Sequence, residues 1–134
     1  MGKKMWIWVL MGSLLLTAFV PAKPIPAELG KAYLKSLGWE MGGSFWEEMV
    51  VLPKEEDKVW MPYIEMQKEA GFNILPYCGQ KVLRLSCPIS NYPGASGVQA
   101  TLYYDGNTLI GGDIYSPALD GFMHALSPRE SDTF

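Results

Sequence analysis

The chain has 134 residues, of which 49% are hydrophobic and 13% aromatic, enough apolar side chains for one compact core. Its 14 acidic residues outnumber its 11 lysines and arginines, which gives a net charge of −3. An acidic chain repels polyanions, and no run of basic residues follows the first four positions. Nucleic acid is therefore excluded as an expected partner.

The first 22 residues have the order of an export signal. Lys3 and Lys4 precede an uncharged apolar run over residues 5–20, and a Val-Pro-Ala sequence ending at Ala22 places small residues where a signal peptidase cuts. Cleavage there would leave 9 of the 11 basic residues against 14 acidic ones, a net charge of −5. We expect a signal peptide over residues 1–22 and an exported product, secreted or associated with the cell envelope. The alternative is an uncleaved anchor, which would be the protein's only contact with a membrane.

The next segments predict a helix followed by a β-hairpin. A proline opens the helix over residues 27–37, and a glycine follows its end. Residues 39–41 and 44–52 are typical of two strands joined by a Gly-Gly turn. We expect Trp46 and the apolar run over residues 49–52 to lie in the core.

A second helix and a third strand follow. The helical segment covers residues 54–70, and because an interior proline breaks a helix, its regular part should begin near Met61 with Pro62 in the first turn. A strand is predicted over residues 81–87. The helix side chains expected to face the core are Tyr63, Met66 and Ala70.

The two cysteines are expected to remain unpaired. Cys78 precedes the strand over residues 81–87 and Cys87 ends it, so an extended segment of about 20 Å separates them. The Cα atoms of a disulfide lie within about 7 Å of each other, which excludes this pairing.

The stretch from residue 98 to residue 126 is the centre of the predicted fold. Apolar and polar residues alternate over residues 98–104, Asp105 and Gly106 supply a turn, and a second strand returns to Tyr115. We expect a three-residue loop with a glycine bulge, because an odd-length loop keeps Ile110 and Ile114 on the apolar face of the hairpin.

Two glycines and a predicted helix complete this stretch. Gly111 and Gly112 lie in mid-strand, where glycine indicates a bulge or a close approach of another group. Ser116 and Pro117 are typical of a helix start, and apolar residues recur behind them at helical spacing. The apolar stripe is predicted to consist of Leu119, Phe122, Met123 and Leu126. Asp120 and the chain's only histidine, His124, would then lie side by side on the opposite face.

These elements predict a small α+β domain with an antiparallel β-sheet and helices packed on one face. The domain should cover residues 23–127. Residues 128–134 have almost nothing to bury and are predicted to form a disordered tail.

Few residues suggest a catalytic, metal-binding or ligand-binding site. Asp113, Asp120 and His124 could serve a small hydrolase as acid and base groups, but no serine or cysteine is placed as a nucleophile. The same three residues lack the spacing of a metal motif, so neither a metal nor a cofactor is expected. Aromatic side chains could line a ligand groove, and those singled out for binding are Tyr92, Tyr103 and Tyr115.

Several short segments resemble a family of small exported bacterial proteins, domain of unknown function 4830. The shared segments are YLKSLGW at 33–39, QKEAGF at 67–72, NYPG at 91–94, IGGDI at 110–114 and ALDGFMHAL at 118–126. The resemblance covers about residues 30–126, and its last two segments are the specific ones. It implies export and a fold class, and it implies no catalytic residues.

Two functions follow as hypotheses. The preferred one is a non-catalytic binding module whose partner is an envelope protein, a peptide or a glycan. The alternative is a small hydrolase using Asp113, Asp120 and His124. An aromatic groove would favour the first hypothesis, and convergence of these three side chains in a cleft would favour the second.

The export signal gives a direct prediction. Expression in a bacterial host with an active export pathway should yield a mature protein that begins at Lys23, because the peptidase cuts after Ala22. Intact-mass analysis of the exported fraction would identify this terminus. Recovery of the full-length chain from membranes alone would support the uncleaved anchor.

Overall fold

A computed structural model describes residues 25–130, so the predicted signal peptide and the last four residues lie outside it. The described chain has two α-helices, a short 3-10 helix at Leu75–Tyr77 and one five-stranded sheet. The helices are α1 (Pro26–Ser36) and α2 (Met61–Glu69). The strands are β1 (Trp46–Val51), β2 (Lys81–Pro88), β3 (Gln99–Asp105), β4 (Thr108–Tyr115) and β5 (Met123–Ala125). Within residues 25–130, no helix combines the length and apolarity needed to cross a bilayer.

The sheet has the order β1-β2-β3-β4-β5, and every neighbouring pair is antiparallel. This confirms the predicted α+β class. Both helices begin with proline in the first turn, as predicted, because the missing proline N–H has no helical partner there. The strand over residues 81–87 is also confirmed, with one further residue at its end.

The two helices lie on opposite faces of the sheet, whereas the sequence predicted helices on one face. Successive residues of a strand point to opposite sides. Leu102 of β3 packs in a core cluster with Leu34 of α1. Its neighbour Tyr103 packs in a second cluster with Tyr63 and Ile64 of α2. The central strands are buried on both sides, so the alternation in β3 does not mark a solvent face.

The predicted first hairpin is wrong. Residues 39–41 form no strand, and Met41 makes a single bridge to Ile89. β1 pairs instead with β2 and forms one edge of the sheet. The predicted core residue Trp46 is therefore 71% exposed, and Met49 and Val51 are exposed as well.

The central hairpin has a two-residue turn and a bulge inside β4, not the predicted three-residue loop. Asp105 pairs with Thr108, and the register then shifts between Tyr103 and Tyr104 because Ile110 is an extra residue. The additional residue that we placed in the loop thus lies within the strand. As a result Ile110 packs beside Tyr103 under α2, on the face opposite to Ile114.

The helix predicted after Pro117 is also wrong, since this segment is a turn followed by β5. The Gly121 N–H donates to the Ala118 carbonyl (2.9 Å), and a β-carbon at Gly121 would overlap the Ser116 carbonyl oxygen. The tight turn brings the chain back to pair with β4. Leu119, which the helix would have buried, is fully exposed.

The end of the domain lies further along the chain than predicted. The backbone N–H of Arg129 donates to the Leu37 carbonyl (2.7 Å), and its Nε donates to the Asn91 carbonyl (2.7 Å). These bonds attach residues 128–130 to the domain, so the predicted disordered tail does not begin at residue 128. Residues 131–134 lie outside the described chain.

Gln67 of α2 completes the sheet where β5 stops. The Gln67 side chain is fully buried, its Nε2 donates to the Gly112 carbonyl (2.6 Å), and its Oε1 accepts the Gly112 N–H (3.0 Å). These two bonds reproduce those of a strand partner at the position that Leu126 would occupy in a longer β5. The glycines behave as predicted, because a β-carbon on Gly111 would lie 2.8 Å from Gln67 Oε1 and one on Gly112 would lie 2.8 Å from a Leu126 methyl.

This arrangement predicts that Gln67→Leu lowers the free energy of unfolding by about 2–4 kcal/mol, because it leaves two buried main-chain groups without partners. The same substitution at the exposed Gln80 is the matched control and should change stability by less than about 0.5 kcal/mol. Equilibrium urea unfolding of the three proteins measures both values. Equal stability of the two variants would contradict the structural role of Gln67.

Candidate functional site

The candidate site is a groove of about 770 Å³ beside β5. One wall is the carboxyl end of α2, with Met66, Glu69 and Ala70. The other wall is the chain over residues 123–128, and Tyr92 lines the groove next to it. The volume lies within the range of ligand-binding pockets.

A stack of rings, of which Trp39, Tyr92 and His124 line the groove, supplies part of its surface. The rings of Trp39 and Tyr92 are 5.2 Å apart and nearly parallel, and Tyr92 stacks at 4.8 Å on Phe122. The ring of His124 stacks on Phe122 at 5.8 Å. The Trp39 indole donates to the Ser127 carbonyl (2.8 Å), which attaches the segment after β5 to this stack. The rings are thus held in place before any ligand arrives.

Hydrogen bonds fix the orientation of His124. Its Nδ1 lies 2.8 Å from the Ala125 carbonyl oxygen, and its Nε2 lies 2.7 Å from the Tyr92 hydroxyl. Because a carbonyl oxygen can only accept, Nδ1 carries a proton, and the Nε2 of a neutral ring accepts from Tyr92. Both ring nitrogens are therefore occupied within the protein.

The charge of the groove is negative. Its lining, as far as residues 25–130 form it, contains the carboxylates of Glu69 and Glu130 and no lysine or arginine. Burial raises the pKa of the Tyr92 hydroxyl, and the negative charge of Glu130 raises it further. The carboxyl end of α2 adds the negative end of a helix dipole. A cationic ligand group would be attracted to this groove.

Asp113 lies away from the groove, in the core under α2. It is 3% exposed, and the Tyr63 hydroxyl donates to its Oδ2 (2.7 Å). Among the described residues, its Oδ1 has no hydrogen-bond partner. Burial raises the pKa of Asp113 to about 6, although the Tyr63 hydrogen bond acts in the opposite direction, as would the charge of a protonated His124 ring.

The three residues proposed for hydrolysis do not converge in a cleft. Asp113 is buried, His124 is half-buried in the groove, and Asp120 is exposed in the turn before β5. The predicted pairing of Asp120 with His124 is wrong, because it depended on the helix that this segment does not form. His124 contacts Tyr92 instead.

The three tyrosines proposed for binding have different positions. Tyr92 lines the groove. Tyr103 is 8% exposed beneath α2, with its ring edge-on to Tyr63, so it is unavailable as a surface group. Tyr115 is half-buried and pairs with Met123 across the β4–β5 ladder.

Sequence reasoning missed the groove because two walls depend on tertiary structure. Glu69 and Met66 lie on α2, and Glu130 lies in the segment predicted to be disordered. No sequence spacing relates these residues to one another. The histidine was identified as a candidate, although with the wrong neighbour.

The described residues contain no metal-binding cluster and no paired cysteines. Within residues 25–130, no group of three or more histidine, cysteine or acidic side chains could hold a metal ion. Cys78 and Cys87 are both unpaired, as the separation along the strand predicted. Burial raises the pKa of the Cys87 thiol to about 11, which keeps it protonated and unreactive at neutral pH.

Comparisons with protein-family models, curated proteins and solved structures found no match to the chain. The resemblance to domain of unknown function 4830 therefore stays a prediction. The geometry of the groove is the basis for assigning a function.

Burial of Asp113 gives a prediction about pH. Its folded-state pKa lies above that of the unfolded chain, so the folded state binds more protons between about pH 4 and pH 6, and stability is lost as pH rises through this window. The substitution Asp113→Asn removes this pH-dependent loss of stability, because an asparagine side chain does not titrate. The stability of the variant relative to the parent should therefore increase by about 2–3 kcal/mol between pH 4 and pH 7.

Urea unfolding at several pH values measures the difference in free energy of unfolding between variant and parent. The contributions of the other titrating groups are the same in both proteins and cancel in this difference. Asp120→Asn, at an exposed position, is the control for the loss of one carboxyl group. A difference for Asp113→Asn that is constant, or that decreases with pH, would contradict the assigned environment of this carboxyl group.

Proposed function

We propose that the protein is a non-catalytic binding module, and that its binding surface is the groove between α2 and β5. The observation that carries this proposal is the groove itself, which combines stacked aromatic rings, exposed thioether surface at Met123 and two carboxylates within about 770 Å³. Apolar walls with a few polar groups are typical of ligand sites.

The rigidity of the groove supports binding. Trp39, Tyr92 and His124 are each held by a hydrogen bond or a ring stack, and such prior ordering reduces the entropy lost on binding. The rim is formed by exposed or half-exposed side chains, so a partner can reach it without unfolding the domain.

The hydrolase alternative has less support. A general base must lie within hydrogen-bond reach of its substrate, and Asp113 is enclosed under α2. His124 would have to give up the Tyr92 hydroxyl to act through Nε2. Among residues 25–130, no serine or cysteine side chain is hydrogen-bonded to Nε2, although the Ser127 hydroxyl lies 3.5 Å from Nδ1.

We also propose that the module acts outside the cytoplasm, secreted or in the cell envelope. The basic start, the apolar run and the small residues before the cleavage position in residues 1–22 support export. The partner would then be an envelope protein, a peptide or a glycan. Retention by an uncleaved N-terminal segment is the alternative arrangement.

The binding proposal predicts that small neutral aromatic probes, such as indole and N-acetyltryptophan amide, enter the groove. With 5-fluorotryptophan incorporated, the 19F resonance of Trp39 should shift with probe concentration, because this ring lines the groove. The resonance of Trp46, at the opposite edge of the sheet, is the internal control and should shift much less. Tyr92→Ala should weaken the Trp39 response about tenfold by removing a stacked ring.

Two results would overturn the binding proposal. One is a Trp39 resonance that responds no more than that of Trp46. The other is hydrolysis of ester or peptide substrates by the parent that His124→Ala abolishes and Asp120→Asn leaves intact, which would restore an enzymatic role for the histidine.

A further inference from the structure

The groove runs along the edge of β5. Consecutive residues of a strand point to opposite faces of a sheet. A pocket on one face would therefore contact every second residue of β5, yet this groove is lined by all three of its residues, Met123, His124 and Ala125. Only a groove beside the edge of the strand, where the main chain itself is accessible, touches consecutive residues.

The main-chain groups at this edge are available. The Ser116 N–H donates to the Phe122 carbonyl (2.9 Å), which fixes the pattern of the β4–β5 ladder. Alternate residues of an antiparallel strand direct both main-chain groups to the same neighbour, so Met123 and Ala125 direct theirs away from β4. Among residues 25–130, no main-chain bond to the N–H groups of these two residues is found outside the β4–β5 ladder, and Nδ1 of His124 lies 2.8 Å from the Ala125 carbonyl oxygen.

Gln67 limits this open edge at one end. Its amide occupies the ladder position beyond β5 through both main-chain groups of Gly112. An added strand can therefore pair with β5 and cannot extend along β4. The sheet offers a short backbone template with a defined end, next to a groove with an apolar wall.

The negative charge of the groove favours an added strand that carries a cationic side chain. Within the described part of the chain, Glu69 and Glu130 line the groove and no lysine or arginine does. The carboxyl end of α2 adds the negative end of its helix dipole. A glycan is a poorer match, because Trp39 is 5% exposed and stacked on Tyr92, so its ring faces are not presented to a sugar.

We propose that the groove binds an extended peptide segment that carries a lysine or arginine side chain, and that this segment pairs with β5 as a sixth strand. Main-chain hydrogen bonds to Met123 and Ala125 would supply affinity, and alternate side chains would supply specificity. One apolar side chain would meet the ring stack while the cationic group lies between Glu69 and Glu130. This inference rests on the proposed binding function of the same groove.

A library of phage-displayed random octapeptides, selected on the purified full chain, tests the proposal. Selected sequences should be enriched in lysine or arginine beside alternating apolar residues. A synthetic copy of the strongest sequence should shift the 19F resonance of Trp39. Glu69→Gln and Glu130→Gln should each weaken its binding about twofold to fivefold, more at low salt, whereas Glu47→Gln on the opposite edge of the sheet should not.

Backbone methylation gives the sharper measurement. N-methylation of the peptide at residues that face β5 should weaken binding about tenfold or more, and methylation at the intervening residues should change it less than threefold, because only alternate N–H groups bond the edge. Selection of acidic peptides, equal sensitivity at all positions, or no enrichment over uncoated wells would overturn the inference. If aromatic probes still shift Trp39 in those cases, the binding function itself stands, and if they do not, both proposals fail.

Discussion

The paired hydrogen bonds between the Gln67 side chain and Gly112 are the contact on which the rest of the structure depends. A buried strand segment without a neighbour would leave an N–H and a carbonyl unsatisfied, at a cost of about 1–3 kcal/mol for each group. Gln67 satisfies both at once and ties α2 to the sheet. The need for glycine at position 111 follows from the same contact, because a side chain there would occupy the space of the Gln67 amide.

This contact also determines the shape of the groove. Because Gln67 occupies the ladder beyond β5, the chain after Ala125 can leave the sheet and run toward Trp39, where the Ser127 carbonyl accepts the indole N–H. The departing chain and the end of α2 then enclose a space beside the edge of β5. An edge strand that is short, open and flanked by aromatic rings is a surface suited to recognising another chain.

The sequence predicted correctly those elements whose local pattern, such as a proline at a helix start or an apolar run in a strand, matches the structure that they form. The proline starts placed α1 and α2 within about one residue, and the apolar strand after Cys78 became β2. Prediction failed where the pattern was ambiguous. The spacing of Phe122, Met123 and Leu126 fits a helix, and the alternation of Phe122, His124 and Leu126 fits a strand equally well.

Tertiary structure resolved this ambiguity, since β4 needs a partner and the turn at Gly121 lets the chain return to it. The same reasoning applies to the site. Tyr92 and His124 were recognisable as polar aromatic residues, but their contact spans 32 positions of sequence. Nothing in the sequence indicated that Gln67 would act as a strand partner, because a glutamine on a short helix is ordinary.

Native-state hydrogen exchange observed by NMR tests most directly whether Gln67 closes the ladder while the edge of β5 stays open. The Gly112 amide should exchange as slowly as amides within the β3–β4 ladder, because its N–H donates to the Gln67 side chain. The amides of Met123 and Ala125 should exchange orders of magnitude faster than that of His124, which faces β4. Rapid exchange at Gly112, or protection at Ala125 equal to that at His124, would contradict a ladder closed by Gln67 beside an open β5 edge.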